Sequence, residues 1–253
     1  MGEVIVVANQ KGGVGKTTTA VNVSTALAAV DKKVLLIDMD PQANASTGVG
    51  ISKKNKGIGS YELLIGQNTL SEVLKKSIIP GLSVISSSIE LIGAEIELVN
   101  VEKRETIFKR IIEPYKNMFD YIIIDCPPSM GLLTLNAMVA ADSVLVPLQC
   151  EYYALEGLSY LLNSIQKIKK NFNPSLELFG IVLTMYDRRS SLSSQVENDV
   201  RHHLKDKVFQ TVIPRNIKVS EAPSHGKPVL VYDVGCLGSQ AYMNLAKEIL
   251  TKQ

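Results

Sequence analysis

Two lysines, Lys11 and Lys16, share the glycine-rich stretch Gln10-Lys-Gly-Gly-Val-Gly-Lys-Thr-Thr-Thr19. Glycines followed by a lysine and a hydroxyl residue suit one chemistry, the cradling of phosphate oxygens. The backbone N–H groups of Gly12, Gly13, Val14 and Gly15 can form a nest at a helix N-terminus. Lys16 then reaches the β- and γ-phosphates, and the Thr17 hydroxyl is placed for Mg²⁺. That task needs one lysine. Lys11 has no obvious use inside its own subunit, which points to a cation used where two subunits meet and so to a nucleotide-controlled dimer. The strict pattern G-x-x-x-x-G-K-[ST] is broken at its first position, where Gln10 replaces glycine.

Carboxylates follow at two further places. Val34-Leu-Leu-Ile-Asp-Met-Asp-Pro-Gln-Ala43 puts Asp38 and Asp40 at the exit of an apolar run. Such a pair can orient an attacking water or organise Mg²⁺, with Asp40 better placed to meet a γ-phosphate. Asp-Pro also opens turns, but beside a phosphate loop the chemical reading is the stronger one. In Tyr121-Ile-Ile-Ile-Asp-Cys-Pro-Pro-Ser129 a second apolar run ends in Asp125, a Walker B-like acid that holds Mg²⁺ directly or through water. Cys126 beside it has no histidine near in sequence and reads as a small packed side chain.

The elements that must position these groups are legible as alternating patterns. Apolar, β-branched runs at 4–8, 34–37, 121–124, 144–146 and 178–183, with a weaker one at 82–85, have the character of buried parallel strands. Helical patterns cover 18–30, 61–75, 103–117, 132–141, 155–170, 192–204 and 239–251. This alternation predicts a doubly wound, mostly parallel α/β sheet with helices on both faces, in one domain over residues 1–253. Ligands of such sheets bind at the carboxyl ends of the strands, where the glycine loop and the carboxylates fall.

At 253 residues, 45% hydrophobic and 21% charged, the chain can bury a sizeable core. Its three cysteines have neither metal-ligand spacing nor an even disulfide framework, which favours a reduced, cytoplasmic setting. The first residues run straight into a strand, so no signal peptide is expected, and no apolar run reaches membrane-spanning length. Net charge is only +2, but residues 186–227 hold eight Lys/Arg against five Asp/Glu and all three histidines. A mildly basic face there is compatible with nucleic acid or with an ordinary solvated surface.

Taken together, Lys11-Gly-Gly-Val-Gly-Lys-Thr-Thr18, Asp38/Asp40 and Asp125-Cys-Pro-Pro-Ser129 resemble the deviant Walker A ATPases, a branch of the P-loop NTPases. Pro214-Arg-Asn216, Glu221-Ala-Pro-Ser-His-Gly-Lys-Pro228 and Tyr232-Asp233 extend the resemblance to the ParA/Soj chromosome-partitioning branch, so matches run from Val4 to the last helix. Short chromosomal members often carry glutamine at the place of Gln10. The resemblance implies an ATP-hydrolysing sandwich homodimer. Lys11 matches the lysine that crosses to the ATP of the other subunit, acting as an arginine finger in trans does. Lys16, Thr17, Thr18 and the loop backbone would hold phosphates and Mg²⁺ in cis. Asp40 matches the residue that positions the hydrolytic water, Asp125 the outer-shell Mg²⁺ acid, and Pro214 and Asn216 the adenine-contacting loop.

The same resemblance implies non-specific double-stranded DNA as a partner of the dimer, a ParB-type centromere-binding protein as another, and a nucleoid-associated cytoplasmic location. Arg189 and Lys218 occupy the matching basic positions. Arg215 and Lys227 are secondary candidates, and Arg215 can equally be a structural loop residue. Val234-Gly-Cys-Leu-Gly238 departs from the small polar stretch usual before the last helix. No helix-turn-helix segment precedes the first strand, so no operator binding is expected. Two rivals fit less well. A membrane-associated MinD-like ATPase calls for a basic amphipathic C-terminal helix, which 246–253 does not resemble. An iron–sulfur reductase needs paired cluster cysteines. ParA-like positioners of other cargo remain compatible with the sequence.

Overall fold

The computed structural model describes residues 2–51 and 57–252. Glu3–Val7 forms β1 and leads through the glycine loop into α1, Lys16–Ala28. β2 (Val34–Asp38) is followed by three short helices: α2 (Asn44–Gly48), α3 (Ser60–Leu64) and α4 (Leu70–Val73). Next come β3 (Lys75–Lys76), β4 (Leu82–Ile85), α5 (Leu91–Glu97), α6 (Ile107–Ile112), β5 (Tyr121–Asp125) and α7 (Leu132–Ala140). The last part runs β6 (Ser143–Gln149), α8 (Ala154–Asn171), β7 (Glu177–Thr184), α9 (Ser191–Leu204), α10 (Ile217–Glu221), α11 (Val229–Tyr232) and α12 (Leu237–Thr251).

Among the described residues the strands form one seven-stranded sheet in the order β3-β4-β2-β5-β1-β6-β7. Every pairing is parallel except that of the edge strand β3 with β4. Side chains of a strand alternate between its two faces, and here both faces are covered. Val4 and Val6 of β1, Leu35 and Ile37 of β2, and Ile122 and Ile124 of β5 enter one core with Leu63, Phe108, Ala137 and Leu161. The intervening Ile5, Val7, Leu36 and Ile123 enter the other with Leu27, Tyr242, Leu245 and Ile249 of α1 and α12. Strands buried on both sides cannot alternate apolar with polar residues, which is why they read as continuous apolar runs.

Neighbouring strands β1 and β5 send their crossovers in opposite directions, β1 through α1 to β2 and β5 through α7 to β6. Between such strands a crevice opens at the carboxyl ends of the sheet. Their register places Val7 beside Asp125, and Asp38 of β2 lies on the other side of Asp125.

Two expected helices are interrupted. The pattern at 61–75 breaks at Gly66, whose φ of +75° leaves the right-handed helix. A new helix, α4, starts where the Glu72 carboxylate accepts the Thr69 amide at 2.7 Å, and Lys75 already belongs to β3. In 103–117 only α6 is α-helical, flanked by 3₁₀ turns at Arg104–Thr106 and Glu113–Met118. Pro114 has no N–H to continue the helix, and Lys103 sits at φ +55°. The short elements α2, α5, α10, α11 and β3 are too brief for periodicity to announce them.

Gly180 of β7 lies against the fully buried Phe209, and a Cβ there would fall 2.6 Å from the ring. Gly180→Ala is expected to cost about 1–3 kcal/mol through overpacking, read as a lower urea midpoint. An unchanged midpoint would show that the Phe209 ring can shift to admit the added methyl group.

Candidate functional site

The glycine loop is anchored at both shoulders. Asn9 donates its side-chain N–H to the Pro147 carbonyl of β6 at 2.8 Å and accepts the Lys11 amide at 3.0 Å. Thr184, at the end of β7, donates its hydroxyl to the Val14 carbonyl at 2.8 Å. Gly13 and Gly15 hold φ values of +76° and +86°, a region costly for any residue with a Cβ. Gly15 is the residue that caps α1, so the first-turn amides of that helix face the crevice. Lys16 is 6% exposed and its Nζ donates to the Lys11 carbonyl at 2.9 Å. Burial pushes this ammonium below its ordinary pKa, while the charges of Asp125 and Asp40 pull it back up.

Three carboxylates stand at or just beyond the ends of β2 and β5. Asp38 is fully buried and accepts the Ser46 amide and hydroxyl at 2.8 and 2.7 Å and the Asp40 amide at 3.1 Å. Burial raises its pKa to about 6 in spite of these bonds. Asp38 thereby ties α2 to the end of β2 and fixes the backbone that carries Asp40. Asp40 accepts the Gln42 amide at 2.9 Å and lines the crevice. Asp125 differs from both. It is completely buried, and neither carboxylate oxygen has a hydrogen-bond partner of normal geometry. Burial, reinforced by the Asp38 charge, holds its pKa well above the usual carboxylate range; Thr17 and Lys16 offset this in part.

An unpartnered buried carboxylate is costly, and a hard cation is the group that would satisfy it. Oxygen donors from Thr17, Asp40 and Asp125 suit Mg²⁺, which keeps several waters and takes few protein ligands. Cys126 is also fully buried, with its thiol pushed well up by burial, so it packs as an inert small side chain.

The phosphate crevice, about 340 Å³, is lined by Gly12, Gly13, Gly15, Thr17, Asp40 and Met185 among others. A second cleft of about 200 Å³ shares Gly15, Thr18 and Met185 with it and is lined by Pro214, Asn216, Val219 and Tyr242. Lys11 lies outside both. Its half-exposed ammonium is paired with Glu151, at the approach to α8.

The basic candidates do not form one patch. Arg189 and Arg215 line a cavity of about 660 Å³ together with Arg188, Gln210, Gln240 and Asn244. Arg189 is almost fully exposed and grips Asp187 through two bonds of 3.0–3.1 Å, a contact that holds the Asp187 carboxyl down to about 2. Lys218 pairs with Glu221 at 3.0 Å and lies 5.6 Å from the Tyr232 ring. Lys227 borders a different cleft, beside Thr17, Thr18 and Asn44. Arg188, Met185 and Glu151 were not singled out from sequence. Arg188 had a signal, its place beside Arg189; Glu151 had none, being 140 residues from Lys11.

Residues 2–178 match the AAA domain family. The chain is 52% identical to the chromosome partitioning protein ParA of Caulobacter vibrioides, over 99% of this chain and 94% of that one. It is 51% identical to the sporulation initiation inhibitor protein Soj of Bacillus subtilis, over 98% of both chains. Among solved structures, a cobyrinic acid a,c-diamide synthase from Mycobacterium smegmatis with bound ATP analog and magnesium superposes with a TM-score of 0.87 at 35% identity. That match covers 99% of this chain and 95% of the other. Identity at this level over nearly the whole length of the partitioning proteins leaves one assignment: the chain belongs to the ParA/Soj family of chromosome-partitioning ATPases.

Proposed function

We propose that this protein, as one ATPase unit spanning the chain, binds Mg-ATP, closes into a homodimer around two nucleotides, and hydrolyses ATP to ADP and phosphate. The observation that carries the reading is Asp125, a fully buried carboxylate whose oxygens make no hydrogen bond of normal geometry, set beside Thr17 and the Lys16 ammonium that ends the glycine nest. The loop amides of Gly12 to Gly15 and the first turn of α1, with Thr18, cradle phosphate oxygens. Lys16 neutralises phosphate charge. Thr17, Asp40 and Asp125 hold Mg²⁺, which supplies charge neutralisation at the phosphates when bound. Asp40 orients the attacking water, and Pro214 and Asn216 flank the base.

Lys11 serves the partner subunit. Its ammonium is paired with Glu151, so the trans role requires exchange of a carboxylate for a phosphate, a stronger multivalent anion. The dimer then presents two copies of Arg189, Arg215, Lys218 and Lys227 to the DNA backbone. Contacts with phosphate read no sequence, which suits a protein that uses bulk chromosomal DNA as a substrate for movement and is discharged by a ParB-type partner. Among the described residues no helix is long and apolar enough to cross a membrane, in keeping with a cytoplasmic, nucleoid-associated protein.

Lys16→Ala is expected to abolish binding of a fluorescent ATP analogue. Lys11→Ala should retain that binding and lose ATP-dependent dimerisation in sedimentation velocity; normal dimers of Lys11→Ala would remove its trans role. Asp40→Ala should slow turnover about a hundredfold or more, the usual worth of a positioned base, while leaving a persistent ATP dimer. Unchanged phosphate release in that variant would move water positioning elsewhere. Arg189→Ala and Lys218→Ala should each weaken DNA binding equally for unrelated duplexes. Each should also lower the slope of log affinity against log salt by about 2, because one substitution removes two contacts per dimer. Strong preference of the unmodified protein for one sequence contradicts the reading.

A further inference from the structure

The cavity that gathers Arg188, Arg189 and Arg215 has about 660 Å³, against about 340 Å³ for the phosphate crevice and about 200 Å³ for the cleft beside Asn216. It has the size of a site for one small organic molecule. Its charge is unbalanced. Asp187 also lines it, and Arg189 holds that carboxylate through two hydrogen bonds, so one guanidinium is compensated. The Arg215 charge acts on Asp187 as well. Among the described residues neither the Arg188 nor the Arg215 side chain makes a hydrogen bond or an ion pair. Planar guanidinium forks of this kind suit phosphate oxygens, two at a time.

The rest of the lining has a different character. Pro214 and Leu237 give it apolar walls, and Gln210, Gln240 and Asn244 bring side-chain amides. Gln240 donates its Nε2 to the Gly235 carbonyl at 3.1 Å, which leaves its Oε1 to accept from a ligand. The Gln210 and Asn244 amides make no hydrogen bond among the described residues. A flat heterocycle, apolar on its faces and polar around its edge, matches such a lining. Duplex DNA matches less of it, because phosphate contacts read charge alone and would leave the walls and the amides unused.

The cavity is held open by the chain that follows β7. The Tyr186 amide donates to the Ile213 carbonyl at 3.0 Å, and the Arg215 amide donates to the Tyr186 carbonyl at 3.1 Å. Pro214 and Arg215 are thereby fixed as a partition, lining this cavity on one side and the cleft beside Asn216 on the other. We propose that the cavity is a second nucleotide site. It takes a purine nucleoside triphosphate with its phosphates on Arg188, Arg189 and Arg215 and its base against Pro214 and Leu237, and its occupation competes with DNA for the same guanidiniums. The competition rests on the DNA reading above; the site does not.

Equilibrium dialysis with radiolabelled, hydrolysis-resistant analogues of ATP and GTP tests the site. For at least one of them the unmodified protein should take up label at both the crevice and the cavity. Lys16→Ala should take it up at the cavity alone, and Lys16→Ala/Arg188→Ala at neither. In the otherwise unmodified chain, Arg188→Ala should leave the crevice filled and weaken the second uptake about tenfold or more, the worth of a charged hydrogen bond. Asn244→Leu should weaken it about tenfold while leaving the affinity for inorganic triphosphate unchanged. Arg188 and Asn244 are both exposed, so these variants should keep the wild-type melting temperature. At fixed ionic strength, adding the nucleotide that fills the cavity should lower the DNA affinity of the ATP-loaded protein severalfold, and Arg188→Ala should resist this. A second uptake that is absent, or that survives Arg188→Ala, overturns the proposal. So does displacement of the label by inorganic triphosphate as readily as by nucleotide, since charge alone would then be read. Undiminished DNA binding with the cavity filled overturns the competition. If the protein binds no duplex at all, the DNA reading fails, while dialysis still decides the site.

Discussion

The arrangement depends on the complete burial of Asp125, whose carboxylate oxygens make no hydrogen bond of normal geometry, between Asp38 and Lys16. A carboxylate there is destabilised by lost hydration and by its acidic neighbour, so the fold holds it only because two parallel strands and their packed helices leave it no other place. Its high pKa and the depressed pKa of Lys16 have the same origin. Each charge lacks water, and each is only partly compensated by the other. A cation and phosphates are the groups whose charges would compensate both.

A second regularity concerns the cations outside that crevice. Lys11 is paired with Glu151, Arg189 with Asp187, and Lys218 with Glu221. Exposed ion pairs contribute little net stability because water and salt screen them. Each is therefore a weak restraint on a long side chain, of the kind that a phosphate, with more charge and more acceptor oxygens, can displace. In the proposed cycle the same exchange, carboxylate for phosphate, would occur at the nucleotide through Lys11 and at DNA through Arg189 and Lys218. Among the described residues Arg188 has no such carboxylate of its own, and it lines the cavity shared by Arg189 and Arg215.

Much of the fold was legible because its local signals agree. Strands such as Tyr121–Asp125 read as apolar runs since both faces are covered, and the glycine loop announces itself through residues that only a tight, phosphate-sized turn requires. The interrupted helices show where local reading stops. Gly66 and Pro114 were visible in the sequence, but whether each ends a helix or sits within one depends on what packs beyond it. The carboxylates show the same boundary. Asp38 and Asp40 are near-equivalent as letters; tertiary contacts with Ser46 make one a buried brace and leave the other at the crevice wall.

By itself, then, the sequence determined the strand and helix succession, the phosphate loop, the acids at the strand ends and the family, because these are set by short-range patterns of side-chain size, charge and backbone freedom. Tertiary structure decided which acid is left without a hydrogen bond of normal geometry, where Lys11 points, and that Arg188, Arg189 and Arg215 share a cavity apart from Lys227. Those outcomes arise from strand register and from contacts across more than a hundred residues of chain, such as Lys11 with Glu151 and Thr184 with Val14. Long-range proximity is a property of the packed sheet, and no local pattern encodes it.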